Sequence, residues 1–284
     1  MTGAYLALLG RIVMLGYERI IVKKLGTGSS SESAAFLFFA IAAVFLFPFV
    51  FFVESPEDYG FVKVVLINSV IYSAAFILYV KSLSLGEASL VSPLYNFNVF
   101  FLLLLAAVFL GEAFTVLKAA GLILLVYGAS YLNRQNNPLL SLRALFKDRA
   151  CVFMMICSML IAVGRTIDMT VLKNVHPVVY AFALNAGMGL VIFLYVLLAG
   201  RTKSILDLLK AKRNLAAASG LLNAFSYLCL LLALKKMPVS VAEPASMLGM
   251  VITVILAHFV FREAIRDRLV GVVVMIFGAW LLFL

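Results

Sequence analysis

Two segments of the sequence are similar enough to indicate that the chain consists of two related halves. Residues 106–132 read AAVFLGEAFTVLKAAGLILLVYGASYL, and residues 257–283 read AHFVFREAIRDRLVGVVVMIFGAWLLF. Pro93 precedes the first segment and Pro244 precedes the second, and these two prolines are 151 positions apart. A repeat of about half the chain length, in an apolar chain, is typical of membrane proteins whose two halves surround a central site.

Apolar runs of bilayer-spanning length recur along the whole chain, which is 65% hydrophobic and 13% charged. A transmembrane helix needs about 20 apolar residues, and Phe36–Val53 illustrates such a run because it contains no charged residue. The predicted spans cover roughly residues 3–22, 34–53, 62–82, 90–110, 115–132, 151–172, 178–199, 214–234, 240–261 and 268–284. The loops between them are too short for a separate soluble domain.

Each half contains five predicted spans, and an odd number makes the second half enter the membrane from the opposite side. We therefore predict an all-α membrane protein of ten transmembrane helices, arranged as two inverted five-helix repeats. The first repeat is expected at residues 1–132 and the second at residues 151–284. The basic connecting segment 133–150 is expected to contain a short interfacial helix, because leucines and a phenylalanine alternate there with basic residues.

The formal net charge of +10 indicates membrane topology and no nucleic-acid partner. Most Lys and Arg residues follow the odd-numbered spans, as Lys23, Lys24 and the basic residues of segment 201–213 do. The positive-inside rule places these loops in the cytoplasm and therefore both termini outside. The same basic loops are expected to contact anionic membrane lipids.

The segment PLYNFNVFFLLLLAAVFLGEAFTVLKAAGLILLVYGASYL resembles the EamA-type domain of the drug/metabolite transporter superfamily. That domain is marked by a proline early in its fourth span, a Gly-Glu or similar pair after it, and a glycine-rich fifth span. The second copy, EPASMLGMVITVILAHFVFREAIRDRLVGVVVMIFGAWLLF, fits the same pattern with Arg262 in place of the glycine. The resemblance implies transport of amino acids, metabolites, drugs or nucleotide sugars, often by exchange or proton coupling. It also implies cytoplasmic termini, against the charge pattern.

The sequence contains no His-Glu-x-x-His zinc pair, no Gly-x-Ser-x-Gly nucleophile elbow and no P-loop. We therefore expect no enzyme, no ATP-driven pump and no cofactor or metal. The expected function is secondary-active transport of a small metabolite, an amino acid or a related solute, by alternating access at a central site between the repeats. A flippase for lipids or lipid-linked intermediates, or a structural membrane protein without transport, are the alternatives. The expected partners are the small-molecule substrate, a proton or counter-substrate, and membrane lipids. The chain is expected to act as a monomer or homodimer in the plasma or inner membrane.

Ionisable side chains within predicted spans are costly in lipid and therefore mark candidate site residues. The first span carries Arg11, Glu18 and Arg19, and the sixth carries Arg165 and Asp168. Arg11 and Glu18 share one helix face, and Arg165 is three residues from Asp168, a spacing that permits direct pairing. Apart from Arg19, these side chains either line a charged cavity for a zwitterionic or anionic solute or form self-neutralised pairs. Arg19 is expected to extend to the cytoplasmic headgroups.

The repeated prolines and glutamates have two interpretations each. Pro93 and Pro244 either interrupt a span and expose backbone carbonyls or lie in the first turn of a helix, the interpretation we favour. Glu243, just before the second proline, is either a carboxylate at a helix N-terminus or a protonatable binding residue. Glu112 and Glu263, which are also 151 positions apart, are predicted to cap helices at interfacial turns.

Polar and aromatic residues of the third, fourth, seventh and eighth spans are further candidates for the solute pathway. They either line it or form interhelical hydrogen bonds of about 1 kcal/mol or less. The polar and aromatic candidates are Tyr72, Tyr79, Tyr95, Asn96, Asn98, Asn185, Asn223 and Tyr227. The candidate substrate-binding residues also include Arg11, Glu18, Arg165, Asp168 and Glu243.

Glycines spaced seven residues apart form a small-residue stripe on the last predicted span of each half. They are Gly121 and Gly128 in the first half and Gly271 and Gly278 in the second. Small residues let helix backbones approach closely in membranes. We expect these stripes to pack helices within one chain rather than to form a dimer.

Overall fold

The computed structural model describes residues 2–56, 58–109, 115–168, 170–171, 174–234, 236, 242 and 245–282. Regular secondary structure in these ranges is entirely helical. The helices are α1 (Thr2–Gly26), α2 (Ser31–Val50), α3 (Phe61–Leu85), α4 (Ala88–Leu94), α5 (Phe97–Phe109), α6 (Val116–Ser130), α7 (Pro138–Lys147), α8 (Arg149–Asp168), α9 (Pro177–Leu198), α10 (Thr202–Ala211), α11 (Arg213–Leu234), α12 (Gly249–Phe261) and α13 (Arg266–Leu282).

Several of these helices have the length and hydropathy of membrane-crossing segments. Within the described residues six segments qualify, namely α2, α3, Ala88–Leu105, α8, α9 and α11. Helices α6 and α12 are apolar but shorter. Because an α-helix satisfies its own backbone hydrogen bonds, such segments can cross lipid without unpaired polar groups. The chain is an all-helical, multi-pass membrane protein, as its composition predicts.

Local side chains define where several helices begin. The Ser30 hydroxyl accepts a hydrogen bond from the backbone N–H of Ser33 at 3.2 Å and caps α2. Asn137 caps α7 in the same way and is followed by Pro138, whose missing N–H costs nothing in a first turn. Helix α7 lies in the basic connecting segment, where a short helix is predicted. Helix α10 has no counterpart among the predicted spans.

The helices pack in pairs that are related by an approximate two-fold relation. Helix α1 packs on α11 as α3 packs on α8, and α1 packs on α12 as α5 packs on α8. The pairs α2 with α9 and α6 with α13 join equivalent helices of the two halves. The first and sixth predicted spans, α1 and α8, therefore occupy equivalent positions in the interior.

Glycines allow α6 and α13 to approach each other closely. A Cβ atom on Gly121 would lie 2.6 Å from the carbonyl oxygen of Gly278, and one on Gly128 would lie 2.7 Å from that of Gly271. Real Cβ atoms do not come this close to backbone atoms. The contacts pair early residues of one helix with late residues of the other, so the helices are antiparallel. The glycine stripes pack two helices of one chain, as predicted.

The fourth predicted span is interrupted near its proline. Pro93 is the sixth residue of α4, which ends at Leu94, and two residues separate this end from the start of α5 at Phe97. In the intervening turn, the Tyr95 N–H donates to the Ser92 carbonyl at 3.2 Å. The favoured prediction that Pro93 lies in a first helical turn is therefore wrong, because the helix starts one and a half turns earlier. Pro244, Glu243 and Glu112 lie outside the described residues.

Candidate functional site

A cavity of about 130 Å³ lies in the centre of the helix bundle, between the two halves. Its charged lining comes from the equivalent helices α1 and α8, and its aromatic lining comes mostly from α2, α3 and the turn after α4. The lining residues are Arg11, Leu15, Glu18, Arg19, Phe39, Tyr72, Phe76, Tyr79, Tyr95, Ile161, Arg165, Asp168, Leu184, Asn185, Met188, Asn223, Tyr227, Leu230 and Leu231. The cavity thus combines charge with apolar walls, as small-molecule sites do.

Helix α1 contributes Arg11 and Glu18 to the cavity from one face. The Arg11 guanidinium donates a hydrogen bond of 2.6 Å to the Ser226 hydroxyl on α11. The Glu18 carboxylate accepts a long hydrogen bond of 3.4 Å from the Tyr79 hydroxyl on α3. Both side chains are buried. Each therefore has a hydrogen bond to another helix, and both side chains face the same space.

Arg19 also lines the cavity, which contradicts its predicted extension to the membrane surface. Its side chain is completely buried, with 0% exposure. The guanidinium carbon lies 5.4 Å from the centre of the Tyr95 ring. The prediction fails because α1 continues to Gly26, so Arg19 lies two turns before the helix end, and a neighbouring aromatic ring draws the guanidinium inward.

Asp168, at the end of α8, is held by three neutral hydrogen-bond donors. Its carboxylate accepts hydrogen bonds from Asn68 at 2.5 Å, from Tyr72 at 2.6 Å and from Tyr180. Gly164 makes this arrangement possible, because a Cβ atom there would overlap the Tyr72 ring. Most of the acceptor capacity of Asp168 is therefore used within the protein.

One wall of the cavity consists of aromatic rings in mutual contact. Phe39 and Phe76 pack edge to face with ring centres 4.9 Å apart, and Phe76 packs on Tyr79 at 5.4 Å. Tyr79 in turn packs on Tyr95 at 5.6 Å. The opposite side includes Asn223, whose amide donates to the Asn185 side chain at 2.8 Å. The wall offers a continuous apolar surface beside the charged groups of α1.

The fold gathers most of the predicted site residues around this one cavity. Arg11, Glu18, Tyr72, Tyr79, Tyr95, Arg165, Asp168, Asn223 and Tyr227 all line it. Asn96 is buried in the turn between α4 and α5 and does not line the cavity. Glu243 lies outside the described residues.

Sequence reasoning missed several residues that shape the site. Arg19 was assigned to the headgroups, although an ionisable residue next to Glu18 within a span was itself a signal. Asn68 and Tyr180, which hold Asp168, belong to the third and seventh spans. Phe39 and Phe76 gave no signal, because phenylalanines are abundant throughout the chain.

A second group of charged residues joins the two halves about one helical turn beyond Arg19. Glu263, in the turn between α12 and α13, accepts a 2.9 Å hydrogen bond from Lys23 of α1. Arg268 of α13 contacts both Glu87, just before α4, and the hydroxyl of Ser89 in the first turn of α4. We call Lys23, Glu87, Ser89, Glu263 and Arg268 the Glu263 cluster. It connects the first and second halves through ion pairs.

Glu263 also caps helix α4 from a distant part of the chain. Its two carboxylate oxygens accept the backbone N–H groups of Ala88 at 2.9 Å and Ser89 at 2.8 Å. These amides have no partner within the helix, and a negative charge suits a helix N-terminus. Burial raises the pKa of the Glu263 carboxyl, but hydrogen bonds from Ser89 and Lys23 outweigh it and hold the pKa below its usual value. The predicted capping role of Glu263 is correct, and the capped helix belongs to the other half.

The same end of α1 is held by a second contact from the other half. The Lys212 ammonium group, between α10 and α11, donates to the backbone carbonyls of Lys24 at 2.9 Å, Leu25 at 3.1 Å and Thr27 at 2.6 Å. A cation at a helix C-terminus satisfies carbonyls that have no partner within the helix. Together with the Glu263 cluster, Lys212 ties the two halves together at the α1 C-terminus.

The two histidines lie at helix ends and are not part of a metal-binding cluster among the described residues. Within the described residues, no three His, Cys, Asp or Glu side chains are grouped to hold a metal ion. His258 contacts the backbone oxygen of Glu263 at 2.9 Å, and His176 caps α9 by accepting the N–H of Val178 at 3.3 Å. Both histidines therefore have hydrogen-bonding roles at helix ends.

Comparison with known families assigns the chain to a class of membrane transporters. The model of the EamA-like transporter family matches twice, at residues 2–134 and 149–284. The chain therefore belongs to the EamA-like transporter family, within the drug/metabolite transporter superfamily. The family match agrees with the resemblance seen in the repeated segments.

Comparison with solved structures supports the fold. A crystal structure described only as that of a protein matches over 99% of this chain and 96% of its own, with 13% sequence identity and a TM-score of 0.58. Identity this low shows a shared fold and nothing about the solute. A comparison with curated proteins finds no significant match.

Proposed function

We propose that the protein is a secondary-active transporter that moves a small metabolite, an amino acid or a related solute, across the membrane. The observation that carries this proposal is the central cavity, which lies between the halves and is lined by charged residues of the equivalent helices α1 and α8. A structural membrane protein has no need for charged groups around an interior cavity, where they are costly. The family assignment supports the same reading.

In this proposal the ten spans form two inverted repeats that move against each other around the cavity. Antiparallel packing of α6 on α13 through glycines supports the inverted arrangement. In this proposal the Glu263 cluster and Lys212 act as the closure at the end of the bundle where α1 ends, because both join elements of opposite halves. For the cavity to open at this end, these contacts must break while new contacts close the cavity at the opposite end. This exchange between two closures is alternating access.

The size of the cavity favours a small solute over a lipid-linked one. A volume of about 130 Å³ holds several water molecules, since one needs at least about 10–15 Å³. A lipid-linked intermediate is far larger. The buried position of Glu18, with one long hydrogen bond, makes it our candidate for the residue that exchanges a proton during coupling.

The test is a flux screen in proteoliposomes over amino acids and related metabolites, with and without a pH gradient. We expect uptake of at least one solute, stimulated by the gradient. Glu18→Gln should fold normally, because glutamine retains the acceptor for Tyr79, and should lose the pH-gradient stimulation. Asp267→Asn is the control, since Asp267 forms an exposed ion pair with Arg134. A folded protein that moves none of these solutes, or a Glu18→Gln variant with unchanged coupling, would count against the proposal.

We further propose that both termini lie outside the cytoplasm, because the basic residues follow the odd-numbered spans. The resemblance to the EamA-type domain implies cytoplasmic termini instead, so the orientation needs its own experiment. A C-terminal alkaline phosphatase fusion should be active and a C-terminal fluorescent fusion should be dark. The reverse pattern would place the termini in the cytoplasm.

A further inference from the structure

Arg19 is a fully buried cation whose N–H donors have no hydrogen-bond acceptor among the residues that the structure describes. None of its Nε, Nη1 and Nη2 atoms has a hydrogen-bond partner among the described residues, and the side chain has 0% exposure. Its cation–π contact with Tyr95 does not provide the N–H donors with a hydrogen-bond acceptor, and a guanidinium has five such donors. Buried donors are nearly always paired, so three unpaired nitrogens on one side chain indicate a missing acceptor.

The carboxylates among the described lining residues do not accept a hydrogen bond from Arg19. These carboxylates are Glu18 and Asp168. Glu18 accepts from the Tyr79 hydroxyl at 3.4 Å, and Asp168 accepts from three neutral donors of the protein. An anion entering the cavity would provide the N–H groups of Arg19 with acceptors and place a compensating negative charge beside the guanidinium.

The shape of the acceptor follows from the guanidinium group. Arginine presents parallel N–H donors in a rigid fork that matches the two oxygens of a carboxylate. The wall formed by Phe39, Phe76, Tyr79 and Tyr95 ends at the ring over which Arg19 lies. A solute whose carboxylate contacts Arg19 would therefore place an adjoining apolar group along this wall.

We propose that Arg19 binds the carboxylate of the transported solute, and that this solute is a small carboxylate carrying an apolar or aromatic group. The inference rests on the proposed transport function, since it takes the central cavity as the solute site. It assigns the binding of the solute's charge to a residue outside the set that the sequence pattern selects.

The test uses binding to the purified, full-length protein with matched probes. Phenylpropionate supplies the carboxylate and the ring, phenylpropionamide replaces the carboxylate by a neutral amide, and phenylpropylamine replaces it by a cation. We expect phenylpropionate to raise the unfolding temperature and to bind measurably by calorimetry, while the amide and the amine do not. Equal binding of the amide, or absence of phenylpropionate binding, would overturn the inference.

Variants at Arg19 test whether this residue makes the contact. Arg19→Gln should weaken phenylpropionate binding about tenfold to a hundredfold, since hydrogen bonds to charged groups contribute about 1.5–3 kcal/mol. Arg19→Lys keeps the charge without the fork and should be intermediate. Arg134→Gln, at the exposed Arg134, is the matched control and should bind like the unmodified protein. Size-exclusion chromatography verifies that each variant is folded. Unchanged phenylpropionate affinity in folded Arg19→Gln would overturn the inference.

Flux measurements separate this inference from the transport proposal. If phenylpropionate binding depends on Arg19 but no solute crosses the membrane of proteoliposomes, the carboxylate site is supported and the transport proposal is contradicted. Flux of neutral or cationic solutes that is unaffected by Arg19→Gln would retain transport and overturn the carboxylate site. Phenylpropionate flux that Arg19→Gln abolishes supports both.

Discussion

Two groups of charged residues lie about one helical turn apart along α1 and compensate their charges differently. In the Glu263 cluster, one carboxylate accepts hydrogen bonds from Lys23, Ser89 and the N-terminus of α4. In the cavity, the Arg19 guanidinium has no hydrogen-bond partner among the described residues. A buried charge with a full set of partners stabilises one conformation, whereas one that lacks partners is suited to receive a ligand. The comparison therefore separates a structural contact from the proposed binding site.

The largest expected change in stability follows from the loss of Glu263. Glu263→Ala removes the acceptor for the Lys23 ammonium group and for two backbone N–H groups of α4. Breaking a buried ion pair costs about 3–5 kcal/mol, so thermal and denaturant unfolding in detergent should show a large loss of stability. Asp267→Asn, which breaks the exposed pair with Arg134, should change stability by less than about 1 kcal/mol. Equal effects of the two variants would remove the distinction between the two kinds of ion pair.

Removal of the Arg19 charge should increase the stability of the protein, whereas loss of Glu263 decreases it. Arg19→Met retains an unbranched apolar side chain and eliminates buried donors that the protein leaves unpaired. We expect the ligand-free protein to become more stable by about 1–3 kcal/mol, with a higher unfolding temperature. A lower unfolding temperature would show that Arg19 has stabilising partners within the folded protein. It would contradict the proposed difference between Arg19 and Glu263.

A smaller effect is the pH dependence of the Glu263 cluster. Because the folded-state pKa of Glu263 is held below the ordinary value of 4.5, its contribution to stability is present above that value. It is lost as the pH falls through the folded-state pKa. The stability difference between the protein and Glu263→Gln should therefore be constant near neutral pH and shrink on acidification. Unfolding temperatures measured across this pH range would show the convergence, and parallel curves would contradict it.

The smallest expected effect concerns the residue before Glu263. Arg262 has a φ of 57°, in the left-handed region, where a side chain costs about 1–2 kcal/mol, and the first repeat has Gly111 at the matching position. Arg262→Gly should be tolerated and should stabilise the turn by at most about 1 kcal/mol, since glycine also gains entropy in the unfolded chain. A clear loss of stability on differential scanning would show that the Arg262 side chain makes contacts that outweigh the strain.

Much of the helical architecture was predictable, because lipid leaves the backbone few alternatives. The apolar runs predicted the membrane-crossing helices, six of which have full length and hydropathy among the described residues. The seven-residue glycine spacing predicted a close helix contact, which α6 and α13 make. The break in the fourth span was one of two interpretations of Pro93 and not the favoured one, since a proline near a helix start is also compatible with a first turn. Helix α10 was missed because an amphipathic segment of ten residues carries no span signal.

The site was predictable in part. Charged residues within predicted spans indicated α1 and α8, because a charge buried in the membrane is costly and usually serves a function. The direction of each side chain was not predictable, as Arg19 demonstrates. An arginine two turns from a helix end is long enough to reach the headgroups or to turn inward, and the choice depends on the aromatic rings around it.

By itself, the sequence determined a membrane-embedded helical chain of two related halves, with charges confined to particular helices. These properties follow from local hydropathy and from the spacing of repeated residues, which need no knowledge of contacts. Only the tertiary structure decided that Glu263 caps a helix of the opposite half, and that Arg19 lines the cavity with no hydrogen-bond partner among the described residues. Partners of buried charges come from residues far apart along the chain, so they are set by helix packing rather than by local sequence.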